Sequence, residues 1–263
     1  MAAAQEKTQY DGVADDYKSY DDLPMAKLEA ELIRTALGDL SGLKVLDLGG
    51  GSGTHARQAL DLGAELVDVA DISEAMMQIG KDIEAAAPPR TGGGKLRWFA
   101  ADAGKPLAEQ GAEVLPAGSY DVVMANWVFD HAHTVDDLKG MWANIAASLR
   151  PGGRFVGIRV IREGIWADYV KTSGKYGCRY EDIGDIPGGV ECKVILLTSP
   201  PFTFGGTMME DSYGRINDIP KALGLKDFQT VPTEEAEIVK KDPEFWKEHL
   251  DEPLFAVLTA VKA

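Results

Sequence analysis

The chain has 263 residues and a formal net charge of −15, from 42 acidic against 27 basic side chains, with 45% of its residues hydrophobic. That length suffices for one large domain with an ordinary core, whereas no run of about 18 apolar residues is present to cross a membrane. So acidic a surface repels phosphate backbones and argues against nucleic acid as a partner. Cys178 and Cys192, in neither a CxxC pair nor a Cys/His cluster, argue against a disulfide framework or a zinc site.

Residues 1–9 read as a frayed tail without the apolar core of a signal peptide, so a cytoplasmic chain is expected. A segment with three tyrosines, Tyr10, Tyr17 and Tyr20, follows. Met25, Leu28, Leu32, Ala36 and Leu40 recur at helical spacing over Pro24–Leu40, and Ser41-Gly42 ends that helix. Val45, Leu46 and Leu48 form an apolar run too short for a helix, followed by Gly49, Gly50, Gly51 and Gly53 and then by helical composition to about Leu62. This predicts a buried strand, a turn needing bare main chain, and a helix start aimed at a ligand. In an open α/β sheet a nucleotide-like cofactor sits at such a turn. Gly49-x-Gly51-x-Gly53 fits a methyl-donor loop, and Gly51-x-Gly53-x-x-Ala56 also satisfies a loose dinucleotide fingerprint.

Glu65–Val69 is a second predicted strand delivering Asp71, and Ser73 is placed to cap a helix running to Ala87, which Pro88-Pro89 terminates. Lys95–Ala100 is a third strand leading to Asp102 and Ala103, and Tyr120–Ala125 a fourth opening into Asn126, Trp127 and His131. Asp136–Leu149 carries a helical stripe, and Pro151-Gly152-Gly153 turns the chain into a fifth strand, Arg154–Val160. Strand and helix thus alternate through five rounds, the pattern of a parallel sheet covered on both faces. Beyond it, Tyr176–Tyr180, Val190–Leu197 and Pro201–Phe204 read as an antiparallel elaboration over the strand ends. Ile219–Leu223 (helix), Phe228–Val231 (strand), Pro243–Leu250 (helix) and Leu254–Lys262 (strand) complete the chain.

An acid after the second strand suits the two hydroxyls of a ribose, and one after the third suits the amino group of an adenine across the sheet edge. Val45–Gly53, Asp71–Met76, Ala101–Ala103, Tyr120–Val123 and Leu149–Phe155 resemble, in order and spacing, the successive motifs of class I S-adenosylmethionine-dependent methyltransferases. Gln9–Tyr17 and Phe245–Pro253 extend the resemblance to the toxoflavin-type methyltransferases of small molecules. The resemblance implies an α/β, Rossmann-like fold with a mostly parallel seven-stranded sheet, helices on both faces and an antiparallel insertion over the active site. Within one domain it divides the chain into a lid and helix (1–42), a cofactor-binding core (43–160), a substrate-roofing insertion (161–215) and the rest of the fold (216–263).

It also implies roles. Gly49 and Gly51 hold the methionine part of S-adenosylmethionine, and Asp47 braces the loop. Asp71 grips the ribose, Ile72 and Met76 flank the adenine, and Asp102 and Ala103 read its edge. Asn126 receives the methionine ammonium, Trp127 packs beside the sulfonium, and Tyr10 and Tyr17 close over the cofactor. Gly50 departs from the family, where Cys or Ala is more usual, and is expected to loosen the loop.

Transfer by in-line displacement leaves S-adenosylhomocysteine and needs a base only where the acceptor must lose a proton. His131 is the first candidate for it, ahead of His55, His133 and Tyr17. Arg159, Trp166, Tyr169, Tyr176 and Phe204 are expected around a small, secondary-metabolite-like acceptor methylated on O or N. No metal is expected, and the chain is expected to act as a monomer or homodimer. A nicotinamide-dependent oxidoreductase and a non-catalytic cofactor-binding regulator are the rival readings.

Overall fold

A computed structural model describes residues 9–12, 16–88, 93–111, 116–213 and 218–263. Of the predicted tail, residues 1–8 lie outside the described residues, as do Pro89 and residues 91–92 of the predicted loop.

Seven strands make the central sheet: β1 (Lys44–Leu48), β2 (Leu66–Asp71), β3 (Lys95–Ala100), β4 (Tyr120–Met124), β5 (Leu149–Val160), β9 (Leu225–Thr230) and β10 (Phe255–Lys262). Their order is β3-β2-β1-β4-β5-β10-β9. β1 to β5 run parallel, while β10 is antiparallel to both its neighbours. Side chains alternate between the faces of a strand, and the two cores divide accordingly. Val45, Val122, Met124, Val156 and Ile158 join one hydrophobic cluster, and Leu46, Leu48, Val123, Ala125 and Phe155 join the other. Helix α1 (Pro24–Leu37) contributes Leu28, Leu32 and Ile33 to the first cluster, together with Ala56 and Ala59 of α2 (Thr54–Asp61). The predicted stripe on α4 (Val135–Ser148) supplies Leu138, Met141, Trp142 and Ile145 to the second. Ser73 caps α3 (Glu74–Ala86) as expected, its hydroxyl accepting from the Met76 N–H at 3.1 Å.

β5 starts five residues earlier than predicted, because the Pro151-Gly152-Gly153 turn is taken up inside it by a register shift against β4. A Cβ at Gly153 would lie 3.0 Å from the Tyr120 carbonyl oxygen, so the turn needs glycine to stay against the neighbouring strand.

The region after β5 forms a separate antiparallel sheet of β6 (Cys178–Ile186), β7 (Gly189–Leu196) and β8 (Phe202–Met209), in the order β6-β7-β8. β8 runs on through Gly205 and Gly206, which pair with Lys193 and Cys192 of β7. Gln9 is no tail residue: its side-chain amide bonds the Gly205 main chain in both directions, at 2.8 and 3.1 Å, as a strand would. The last long helix, α5 (Pro243–Asp251), buries Trp246 and His249. No helix of the described residues is long and apolar enough to cross a membrane.

Candidate active site

The loop after β1 is built as its glycines require. Gly49, Gly51 and Gly53 have φ of 69°, 53° and 77°, a region that other residues enter at a cost. Gly50 has an ordinary φ, and its missing side chain answers to packing. A Cβ there would stand 2.6 Å from Asp47 Oδ2 and 2.8 Å from Val69 Cγ1. The departure at Gly50 therefore fits the loop tightly over the Asp47 carboxylate. Gly50→Ala is expected to destabilise the protein by about 1–3 kcal/mol, the usual range for overpacking, and to weaken cofactor binding because Asp47 must turn. Unchanged urea unfolding in that variant would refute this account of the loop.

Around the loop lies a cavity of about 240 Å³, at the carboxyl ends of the parallel strands. Tyr10, Tyr17, Asp47, Gly49, Gly51, Asp71, Ile72, Met76, Asp102, Ala103, Asn126, Trp127 and His131 all line it, bringing together side chains from β1, β2, β3 and β4 ends. Asp47 is 1% exposed, and burial pushes its carboxyl up to about 6. Neither Asp47 Oδ2 nor either amide atom of Asn126 has a hydrogen-bond partner among the described residues. Buried polar atoms are rarely left unpaired, so these point to a polar ligand group. Asp71 accepts from the Gly51 N–H and the Ser73 N–H, each at 2.8 Å. Burial raises its pKa against the pull of those two bonds. Asp102 accepts from the Gly104 N–H at 2.9 Å and pairs with Lys105 at 2.8 Å.

Trp127 holds a left-handed backbone, φ 62°, a conformation a bulky residue keeps only under constraint. Its indole N–H donates to Glu29 Oε2 at 2.9 Å, and its ring lies 5.4 Å from that of Phe255. Glu29, on α1, is 2% exposed and also accepts from the Tyr20 hydroxyl at 2.5 Å and meets His55 Nε2 at 2.7 Å. Sequence reasoning missed Glu29, although a signal existed. It falls between Met25 and Ile33 at four-residue steps, an acid inside the apolar stripe.

A second cavity, of about 40 Å³, adjoins the first and shares Tyr10, Tyr17, Tyr20, Trp127 and His131 with it. The three-stranded sheet covers it with Tyr180, Cys192, Val194 and Phe204. At the junction, the Tyr10 hydroxyl stands 2.8 Å from His131 Nε2, and the Tyr10 ring lies 5.6 Å from that of Phe204. Beside Tyr10, Asp11 accepts from the Ser73 hydroxyl at 2.6 Å, so the segment 9–12 ties α3 to β8. Burial raises the Tyr17 and Tyr20 phenols well above their ordinary range, so both stay neutral.

Of the residues expected around the acceptor, Phe204 alone lines either cavity. Arg159 is buried in the second core, its guanidinium 4.8 Å from the Phe129 ring, bonded to the Ser212 carbonyl. Trp166 is 41% exposed. Tyr176 stacks on Trp246 at 4.8 Å, and Tyr169 donates to the Glu252 carbonyl at 2.9 Å. These aromatic rings seat α5 against the body of the protein instead. Of the weaker base candidates, His55 is paired with Glu29 and His133 lines the larger cavity. No group of three His, Cys, Asp or Glu side chains able to hold a metal occurs among the described residues.

Residues 46–155 match the family model described as a methyltransferase domain. No curated protein matches the chain. Among solved structures, an S-adenosylmethionine-dependent methyltransferase from Mesorhizobium loti is 20% identical, with a TM-score of 0.57 over 88% of this chain and 95% of that one. The CcbJ methyltransferase from Streptomyces caelestis is 18% identical, with a TM-score of 0.61 over 98% of each chain. The glycopeptide N-methyltransferase MtfA, in complex with S-adenosylmethionine, is 16% identical, with a TM-score of 0.57 over 89% of this chain and 93% of that one. At these identities the structural likeness establishes the Rossmann-like fold.

Proposed function

We propose that this chain is an S-adenosylmethionine-dependent methyltransferase and that it moves the methyl group to an oxygen or nitrogen of a small, secondary-metabolite-like molecule whose reacting group reaches the junction of the two cavities. The observation that carries this reading is the pair of adjoining cavities with a common wall of five side chains. One has the polar ends and apolar middle that an amino acid joined to a nucleoside needs. The other, of about 40 Å³, is largely apolar, covered by the three-stranded sheet, and has room only for the reacting group of an acceptor.

In this reading Asn126 and Asp47, with their unpaired acceptors, take the methionine ammonium beside the main chain of Gly49 and Gly51. Asp71 takes the ribose hydroxyls on lone pairs that its two loop bonds leave over. Ile72 and Met76 flank the adenine, Asp102 and Ala103 read its edge, and Trp127 faces the sulfonium. When bound, S-adenosylmethionine supplies a methyl group already activated for displacement. The protein's task is then alignment and exclusion of water, and alignment alone is worth roughly 7–11 kcal/mol. Tyr10, Tyr17 and His131 sit at the junction where acceptor and methyl group meet. MtfA, named for N-methylation of a glycopeptide, is in keeping with an acceptor nitrogen on an organic molecule. The net charge of −15 argues against a nucleic-acid acceptor, and in this reading the chain acts as a monomer or homodimer.

Incubation of the protein with methyl-labelled S-adenosylmethionine and a cell extract tests the reading. Label is expected in a molecule of low mass. Label confined to protein or nucleic acid would overturn it.

A further inference from the structure

We propose that Glu29 sets the preference of this site for a charged methyl donor: acting through the Trp127 indole, its carboxylate makes the cavity hold a sulfonium more tightly than the neutral thioether that transfer leaves. This rests on the methyl-transfer reading above, in which Trp127 faces the sulfur. Glu29 lines the larger cavity, yet it is 2% exposed and both its oxygens are engaged by the protein. Oε2 accepts from the Trp127 indole N–H at 2.9 Å and from the Tyr20 hydroxyl at 2.5 Å, and Oε1 meets His55 Nε2 at 2.7 Å. Burial opposes a charge on His55, but the bond to Glu29 raises its pKa, so the imidazole suits an anionic partner. Trp127 is fixed in its turn by a left-handed backbone, φ 62°, and by the Phe255 ring at 5.4 Å and 59°. It borders both cavities. Of the carboxylates lining the larger one, among the described residues, Glu29 alone is bonded to an indole.

A cation over an indole is attracted by the negative face of the ring, and tryptophan is the best of the aromatic side chains at this. A carboxylate that accepts the indole N–H polarises the ring toward its face, and away from water such polarisation is not screened. Glu29 is thus a positioning residue: it aims the ring and enriches it, and leaves the contact to Trp127. S-adenosylmethionine and S-adenosylhomocysteine share their adenosine and amino-acid ends and differ at sulfur, by one methyl group and one positive charge. Any attraction routed through Trp127 therefore appears as a difference between the two ligands, whereas a general loosening of the fold weakens both alike. The sulfur loses its charge as the methyl group departs, so this attraction does not favour the transition state over the bound donor. Its effect is on exchange, in which a spent cofactor, held less tightly, gives way to a fresh one.

The test is calorimetric titration of the full-length protein with each of the two ligands, read as the ratio of their affinities. Glu29→Gln keeps an acceptor for the indole N–H and removes the charge. In that variant the ratio of S-adenosylmethionine to S-adenosylhomocysteine affinity is expected to fall about fivefold, the scale of a desolvated cation–aromatic contact. Trp127→Phe, which keeps a ring and loses the N–H, is expected to lower the ratio by a similar factor. Because Glu29 acts through Trp127, the two losses should not add, and the double variant is expected to match Trp127→Phe within about twofold. Equal weakening of both ligands in Glu29→Gln would reduce Glu29 to a structural role and overturn the proposal. A further fivefold fall in the double variant would overturn it too, by showing that the carboxylate acts on the sulfur directly. Should Glu29→Gln fail to fold, an unchanged ratio in Trp127→Phe is enough to refute it and a lowered one supports it. All of these outcomes leave methyl transfer standing, whereas failure of the parent to bind either ligand removes both readings.

Discussion

Asp71→Ala is expected to weaken S-adenosylmethionine binding about a hundredfold, roughly 3 kcal/mol. Two losses combine in that figure. A hydrogen bond to a charged group contributes about 1.5–3 kcal/mol, and the ribose loses its carboxylate acceptor. The Gly51 and Ser73 N–H groups lose theirs as well, so the glycine loop is no longer held to the end of β2. Asp71→Asn keeps one carbonyl acceptor and is expected to lose about tenfold. The ligand-free variants are expected to stay folded, because burying the Asp71 charge already costs the parent energy, as its raised pKa records. Calorimetric titration with S-adenosylmethionine decides the matter: a dissociation constant for Asp71→Ala within about threefold of the parent would remove Asp71 from the ribose site.

Glu29→Ala should produce the largest loss of stability, about 3–5 kcal/mol, the range for stripping one partner from a buried polar network. His55, Tyr20 and Trp127 all direct a polar atom at that one carboxylate, which is 2% exposed, and alanine orphans them together. At about 2–4 °C per kcal/mol for a chain of this size, the melting temperature is expected to drop by roughly 10 °C. Glu29→Gln, which retains one acceptor, should fall by less than half of that. Because Trp127 holds a left-handed backbone and is tethered through its indole N–H, cofactor affinity is expected to fall in both variants. A melting point within about 2 °C of the parent in Glu29→Ala would show that the network carries no weight.

The parallel sheet could be read from residues because its signals are local. Apolar runs of strand length stop at glycines or acids, and β3 is found at Lys95–Ala100 as predicted. The polar ends of the larger cavity were legible for the same reason, since Asp71, Asp102 and Asn126 each follow directly on a strand. The covering sheet was legible as three β segments but not in its contacts. Tyr169 and Tyr176 differ in no local way from a pocket wall. What settles their place is packing on α5, some 70 to 80 residues further along the chain. Arg159 likewise reads as a charge at a strand end, whereas two aromatic faces and a main-chain carbonyl take up its guanidinium.

Five side chains border both chambers, so on the proposed reading the methyl donor and the acceptor group that reaches the junction are thermodynamically interdependent. Whatever either molecule does to Tyr10, Tyr17, Tyr20, Trp127 and His131 changes the free energy of seating the other. Linkage requires that influence to be equal in the two directions, so a methyl donor that favours its acceptor is favoured by it to the same degree, and the spent cofactor and methylated product are bound by the same reciprocity as they leave.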